Sequence, residues 1–165
     1  NSPNLQYNSR SIDADGLNMI ADSLHQHNDF KFPENCVITP HPKEFDRLAG
    51  VSLNAAERLA KQLLFAQKHN VVVVLKGAHT SVAMPNGEVF FNSSGNAMLA
   101  TAGSGDVLTG IILSFLAQGY DAKQAAIAGV YVHGACADVI KNKNKATLIA
   151  SDITAVLPEV LYTFN

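Results

Sequence analysis

Apolar residues recur along this chain at two spacings, and the switches between them lay out a series of strands and helices. Ser-Ile-Asp-Ala at 11–14 reads as a short strand ending at Asp15, after which Leu17, Ile20, Ala21 and Leu24 return at helical intervals. "CVITP" predicts a strand at 36–39, stopped by Pro40. A short helix at 43–49 closes at Gly50, a residue suited to a helix C-terminus. Asn54 with Glu57 has a capping spacing and opens a helix that runs through Leu59, Leu63, Leu64 and Ala66 to about His69. The run from Val71 to Leu75 has no polar face, the pattern of a strand buried on both sides beneath helices. "TSVAMPNGEVFFN" follows as a hairpin that turns at Asn86-Gly87. Three helices complete the chain, at about 106–118, 122–140 and 152–162. The order predicts an α/β fold with a central, mostly parallel sheet flanked by helices on both faces.

Two of these helices carry further information. In the first, Val107, Leu108, Ile111, Ile112, Phe115 and Leu116 share one face. The second holds Ala125, Ala126, Ala128, Gly129, Gly134, Ala135 and Ala137, small side chains that permit close packing in a core. His133 within it is expected to be a satisfied core histidine. The lysines of "KNKNK" at 141–145 follow its C-terminus, where cations complement the helix dipole, and read as a solvated loop.

Composition narrows the function. With 165 residues, 47% of them hydrophobic, the chain suits one globular domain with a real core. Twelve Lys and Arg against fourteen Asp and Glu leave a formal charge of -2, which implies no broad basic surface for nucleic acid. No apolar run approaches the roughly 20 residues of a membrane-spanning helix, and no signal peptide is legible. Cys36 and Cys136 lie in apolar surroundings, as buried free thiols do, which points to a reducing cytoplasm. The opening "NSPNLQYNSRSIDADG" has no initiator Met and runs almost directly into a strand, so a longer protein is expected.

Candidate chemistry gathers at strand ends, where open α/β sheets bind ligands. The first strand leads into "DADGLN", whose Asp13 and Asp15 read as helix caps or as site carboxylates. The second leads into "TPHPKE", in which two prolines stiffen the loop that carries His41 and Glu44. The third leads into "LKGAHT", where Lys76 can pair with a phosphate or reach solvent, and His79 can stack on a base or face water. Gly103, Ser104, Gly105 and Asp106 precede the helix at 106–118. Either Ser104 or Asp106 caps that helix, or its free N–H groups and positive dipole end form an anion hole, with Asp106 as a base for an attacking hydroxyl. No GxxxxGK[ST] loop is present. Taken together, the residues point to phosphoryl transfer from a nucleotide to a small hydroxylated acceptor.

The segments "DADGLN", "TPHPKEF", "LKGAHT" and "GNAMLATAGSGDVLTGI", in that order, resemble the carboxyl-terminal part of NAD(P)H-hydrate dehydratases of the ribokinase-like superfamily. The resemblance covers nearly the whole chain and makes residues 1–165 the C-terminal part of a single domain. It implies repair of the hydrated nucleotides NADHX and NADPHX at the expense of ADP or ATP, with ADP favoured and Mg²⁺ required. It places His41 beside the hydrated nicotinamide, where many ribokinase-like sugar kinases have Asn. Lys76, Gly77, Ala78, His79, Thr80 and Gly105 would contact the adenine nucleotide. Asp106 falls on the catalytic aspartate beside the substrate, with Gly103, Ser104 and Gly105 stabilising the transferred phosphoryl group. Glu44 matches a glutamate linked to Mg²⁺ and phosphate through water. The resemblance also implies a homo-oligomer, and in many bacterial members a preceding epimerase domain. Domains of this family run longer than this chain, and their amino-terminal strands supply part of the substrate site. A ribokinase-like kinase acting on a vitamin precursor, or a nucleotide-binding module without catalysis, would share much of the same pattern.

Overall fold

The computed structural model describes residues 10–13, 15–27 and 30–164. Among these residues, five strands form one sheet in the order β1-β2-β3-β4-β5, with β1 at Arg10–Ile12, β2 at Cys36–Ile38, β3 at Val72–Leu75, β4 at Ser81–Ala83 and β5 at Val89–Phe91. The sheet is mixed. β1, β2 and β3 run parallel, whereas β3–β4 and β4–β5 pair antiparallel, so the expected parallel character holds for the half that helices connect. β1 ends at Ile12, two residues before the expected limit, and Ala14 lies outside the described residues.

Among the described residues there are six α-helices, α1 at Asp15–His27, α2 at Pro42–Ala49, α3 at Ala55–His69, α4 at Ser104–Ala117, α5 at Ala122–Asn142 and α6 at Ala150–Tyr162. Alternate side chains of the strands feed two cores. Cys36, Ile38, Val73, Leu75 and Ala83 pack with α1, α2 and α3. Val37, Val72, Val74, Val82 and Met84 pack with α4 and α5. This is why the run at 71–75 has no polar face. A third cluster joins α4, α5 and α6 through Ile111, Cys136, Ile140 and Ile153.

Local choices explain the element ends. Asn54 caps α3, its side-chain oxygen accepting from the Glu57 N–H at 2.9 Å. Within α3 the expected apolar set is displaced: Leu64 faces solvent at 64% exposure, while Gln62 is fully buried. The Gln62 amide donates to the Val73 and Ser81 carbonyls and accepts from the Ser81 hydroxyl, so its burial is compensated. The hairpin turn also differs from expectation. Met84 O accepts from the Gly87 N–H at 3.0 Å, which makes Pro85 and Asn86 the central pair, with Gly87 following at φ +90°. Asn86 does not take the positive φ that a two-residue Asn-Gly turn requires. Proline preset at the first central position selects a three-residue loop closed by a left-handed glycine.

The small residues of α5 let it approach α4 closely. A Cβ on Gly129 would lie 2.5 Å from Ile112 Cγ1, so the contact tolerates no larger side chain without a shift. α5 extends two residues past its expected end, and Lys143 and Lys145 beyond it pair with Glu159 and Asp152 of α6. Both thiols are free and buried, and burial pushes Cys36 up to about 12 and Cys136 to about 11, the setting of inert packing cysteines. Among the described residues, no helix is long and apolar enough to cross a membrane.

Candidate functional site

The carboxyl ends of β1, β2 and β3 converge on the start of α4. The Thr39 N–H donates to Ile12 O at 3.1 Å and the Lys76 N–H to Pro40 O at 2.9 Å, which carries the parallel pairing past the strand ends. α4 itself begins without a side-chain cap. Gly103 occupies the N-cap position with φ +79°, a conformation that favours glycine, and no side chain caps the N–H groups of the first turn. The capping alternative for Ser104 and Asp106 is therefore set aside. Among the described residues, the N–H groups of Gly105 and Asp106 have no acceptor, and Asp106 is exposed. Two unpaired donors at the positive end of a fourteen-residue helix form an anion-attracting turn.

Ser104 is turned inward. Its hydroxyl lies 3.1 Å from His133 Nε2, which is also 3.0 Å from the Ser104 carbonyl. His133 is thus a satisfied histidine, as expected, and it anchors the turn to α5. Burial pushes its pKa down to about 4, against a smaller opposing pull from the Ser104 carbonyl. The unfolded chain therefore takes up a proton below about pH 6.5 that the folded chain refuses until about pH 4. Stability is expected to be intact above that window and to fall as pH drops through it, by a total on the order of 3 kcal/mol. Denaturant titrations at pH 7 and pH 4.5, with His133→Gln in parallel, check this; equal pH sensitivity in the two proteins would refute it.

A cavity of about 560 Å³ opens beside this turn, lined by Lys76, Gly77, Ala78, Thr80, Ser104, Gly105 and residues of the 94–100 segment. Five of the six nucleotide-contact candidates thus share one wall system, whereas His79 is exposed and outside the lining. The 94–100 part of the lining is held by Asp138 on α5, which no sequence motif singles out and whose two carboxylate oxygens accept from the Gly95 N–H at 2.8 Å and the Asn96 amide at 2.9 Å. Ser94 adds a bond to the Tyr131 carbonyl at 2.8 Å. A single 3₁₀ turn, Ala97–Leu99, follows.

His41 and Glu44 lie outside the cavity lining and form a reciprocal cap on α2. His41 Nδ1 accepts from the Glu44 N–H at 3.2 Å, and Glu44 Oε2 accepts from the His41 N–H at 2.7 Å. Glu44 is buried and the His41 side chain is 48% exposed, with His41 Nε2 3.2 Å from Glu44 Oε1, so both ring nitrogens lie against Glu44 while about half of the side chain stays accessible. Glu44 Oε2 also lies 4.0 Å from Lys76 Nζ. Lys76 is bound on its other side by Asp13, at 2.9 and 3.2 Å. Asp13 therefore faces the site through its carboxylate, and its carbonyl alone meets the start of α1, through the Gly16 N–H. The Asp15 side chain lies outside the described ones. Among the described residues, no three His, Cys, Asp or Glu gather as a metal cage. Glu44 can still accept from the water shell of a Mg²⁺ carried by phosphates, since Mg²⁺ usually keeps several waters and few protein ligands.

Comparison with known proteins follows the same outline. The family model described as NAD(P)H-hydrate dehydratase matches residues 5–159. The ADP-dependent (S)-NAD(P)H-hydrate dehydratase of Neisseria meningitidis serogroup B is 46% identical over 146 residues, covering 86% of this chain and 49% of that protein. The ADP/ATP-dependent NAD(P)H-hydrate dehydratase of Bacillus subtilis, co-crystallized with ATP/Mg²⁺, superposes with a TM-score of 0.80 at 35% identity, covering 94% of this chain and 55% of that one. A ribokinase-like superfamily protein from Enterococcus faecalis gives a TM-score of 0.78 at 30% identity, covering 93% and 52%. The fold is thus of the ribokinase-like kind, and the chain spans about half the length of these relatives.

Proposed function

Because the chain belongs to the NAD(P)H-hydrate dehydratase family, we propose that its full protein restores NADH and NADPH from their hydrates NADHX and NADPHX, using ADP in preference to ATP as phosphoryl donor. The observation that carries this reading is the uncapped start of α4, with unpaired N–H groups at Gly105 and Asp106, set beside a cavity that Lys76 also lines. An anion-attracting turn and an ammonium group at one cavity suit the phosphates of a nucleotide.

The chemistry follows from these positions. Asp106, exposed at the first turn, takes the proton from the hydroxyl of the hydrated ring, and that oxygen bonds to the terminal phosphorus of the nucleotide. The bond from that phosphorus to the bridging oxygen breaks, releasing AMP from ADP or ADP from ATP. Charge on the transferred group is met by the N–H donors of the turn and by Lys76. The ring nitrogen's lone pair then expels inorganic phosphate, a far better leaving group than hydroxide, and the resulting iminium loses a proton from the adjacent ring carbon to water or the departing phosphate, which restores the dihydronicotinamide. Glu44 would hold Mg²⁺ through water, and the ion would neutralise phosphoryl oxygens. His41, half-exposed at the start of α2, would rest against the nicotinamide. A cytoplasmic setting and a homo-oligomer, with an epimerase domain before this one, complete the proposal.

The test is recovery of dihydronicotinamide absorbance from hydrated NADH by the full natural chain, with Mg²⁺ and ADP or ATP. Recovery matched by equimolar inorganic phosphate is expected. A lasting phospho-ester, or no recovery with either nucleotide, would overturn the reading and favour a small-molecule kinase.

A further inference from the structure

Lys76 is in an electrostatically unusual position. A Cβ placed on Gly105 would lie 3.3 Å from Lys76 Nζ, so the ammonium rests against the first turn of α4, the positive end of that helix. Left alone, a long flexible cation beside a helix N-terminus moves away to solvent. Here it is retained by Asp13, whose Oδ1 and Oδ2 accept from Nζ at 2.9 and 3.2 Å. An ammonium has three N–H donors, and the Glu44 carboxylate, 4.0 Å from Nζ, is beyond hydrogen-bond reach, so one donor is left over.

Asp13 is in turn aimed by α4. The Thr109 hydroxyl donates to Asp13 Oδ2 at 2.9 Å, and Thr109 Oγ1 also lies 3.0 Å from Gly105 O and 3.1 Å from Thr39 Oγ1. One hydroxyl thus ties the end of β1 to the helix turn whose N–H groups are unpaired. We propose that Asp13 and Thr109 are positioning residues of the phosphate site: Thr109 orients the Asp13 carboxylate, and Asp13 holds the Lys76 ammonium against the α4 N-terminus with one donor free for a phosphate oxygen. The inference rests on the phosphoryl-transfer reading above. Two like charges, cation and helix end, are brought together before any anion arrives, and an anion placed between them gains from both.

Two effects of Asp13 compete. Its negative charge opposes the binding of phosphate, whereas its hold on Lys76 removes the cost of ordering that side chain when phosphate binds. The inference requires the second to win. The experiment uses the full natural chain and titrates ADP with Mg²⁺ by calorimetry, with kcat and KM measured alongside and folding checked by thermal unfolding. Asp13→Asn is expected to weaken ADP binding about tenfold, the worth of a charge-assisted hydrogen bond. Thr109→Val should weaken it about three-fold or more, and Thr109→Ser should restore it, because only the hydroxyl is needed. In a Lys76→Met background, Asp13→Asn should change ADP binding less than about two-fold, since the group it positions is gone. ADP binding by Asp13→Asn as tight as the wild type's, or the same loss in the Lys76→Met background, would overturn the inference while leaving the function intact. Absence of ADP binding in the wild type would instead remove the phosphoryl-transfer reading, and this inference with it.

Discussion

Asp106→Asn is expected to lower nucleotide-dependent turnover by about 10³-fold, within the range that a positioned general base supplies. The substitution keeps shape and removes one charge. Asp106 is exposed in the first turn of α4, so the loss of its favourable interaction with the helix end costs about 0.3–1 kcal/mol of stability, far too little to account for such a drop. Nucleotide affinity should hold or rise, because the variant no longer places a carboxylate at a turn that attracts phosphate. The informative measurement is therefore paired: kcat on hydrated NADH against the dissociation constant for ADP. A fall in kcat with ADP binding kept identifies the base. Turnover within about tenfold of wild type would instead mean that another group takes the proton and that Asp106 is a helix-end carboxylate.

What the sequence reveals of this site is divided by distance along the chain. The turn at 103–106 is legible because glycines and an apolar helical period adjoin it, and the strand at 71–75 because its run has no polar side. Even the reciprocal cap of His41 and Glu44 has a local signature, the three-residue spacing of a capping box, although His is an unusual residue to begin one. The bonds that set the electrostatics are different. Thr109 meets Asp13 across 96 positions, Thr39 across 70, and Asp138 reaches Gly95 across 43. No periodicity records such pairs, and Thr109 in sequence is only a polar residue on an apolar helix. Gln62 shows the same limit within the core. The helical pattern at 55–69 favours Leu64 for burial, yet two strand carbonyls and a serine hydroxyl accommodate the glutamine there instead.

Phe45→Ala is expected to destabilise the fold by about 3–5 kcal/mol, the cost of deleting a fully buried aromatic ring from a packed core. Phe45 has no exposed surface and meets Phe65 of α3 edge-on, with ring centroids 5.9 Å apart. Its position gives the loss a functional side. Phe45 follows Glu44 directly on an eight-residue helix, α2, whose only other buried residue is Leu48. A helix of two turns has little stability of its own, so the orientation of α2, and with it the cap of His41 and Glu44, depends on this ring. Denaturant unfolding should show the lower midpoint with an unchanged slope, and the folded fraction should show a raised KM for the hydrated substrate before kcat falls. Phe45→Leu, which keeps most of the volume, should recover more than half of the stability. A loss below about 1.5 kcal/mol for the alanine variant would mean that the neighbouring core collapses into the space, and that α2 is held by its cap and not by its packing.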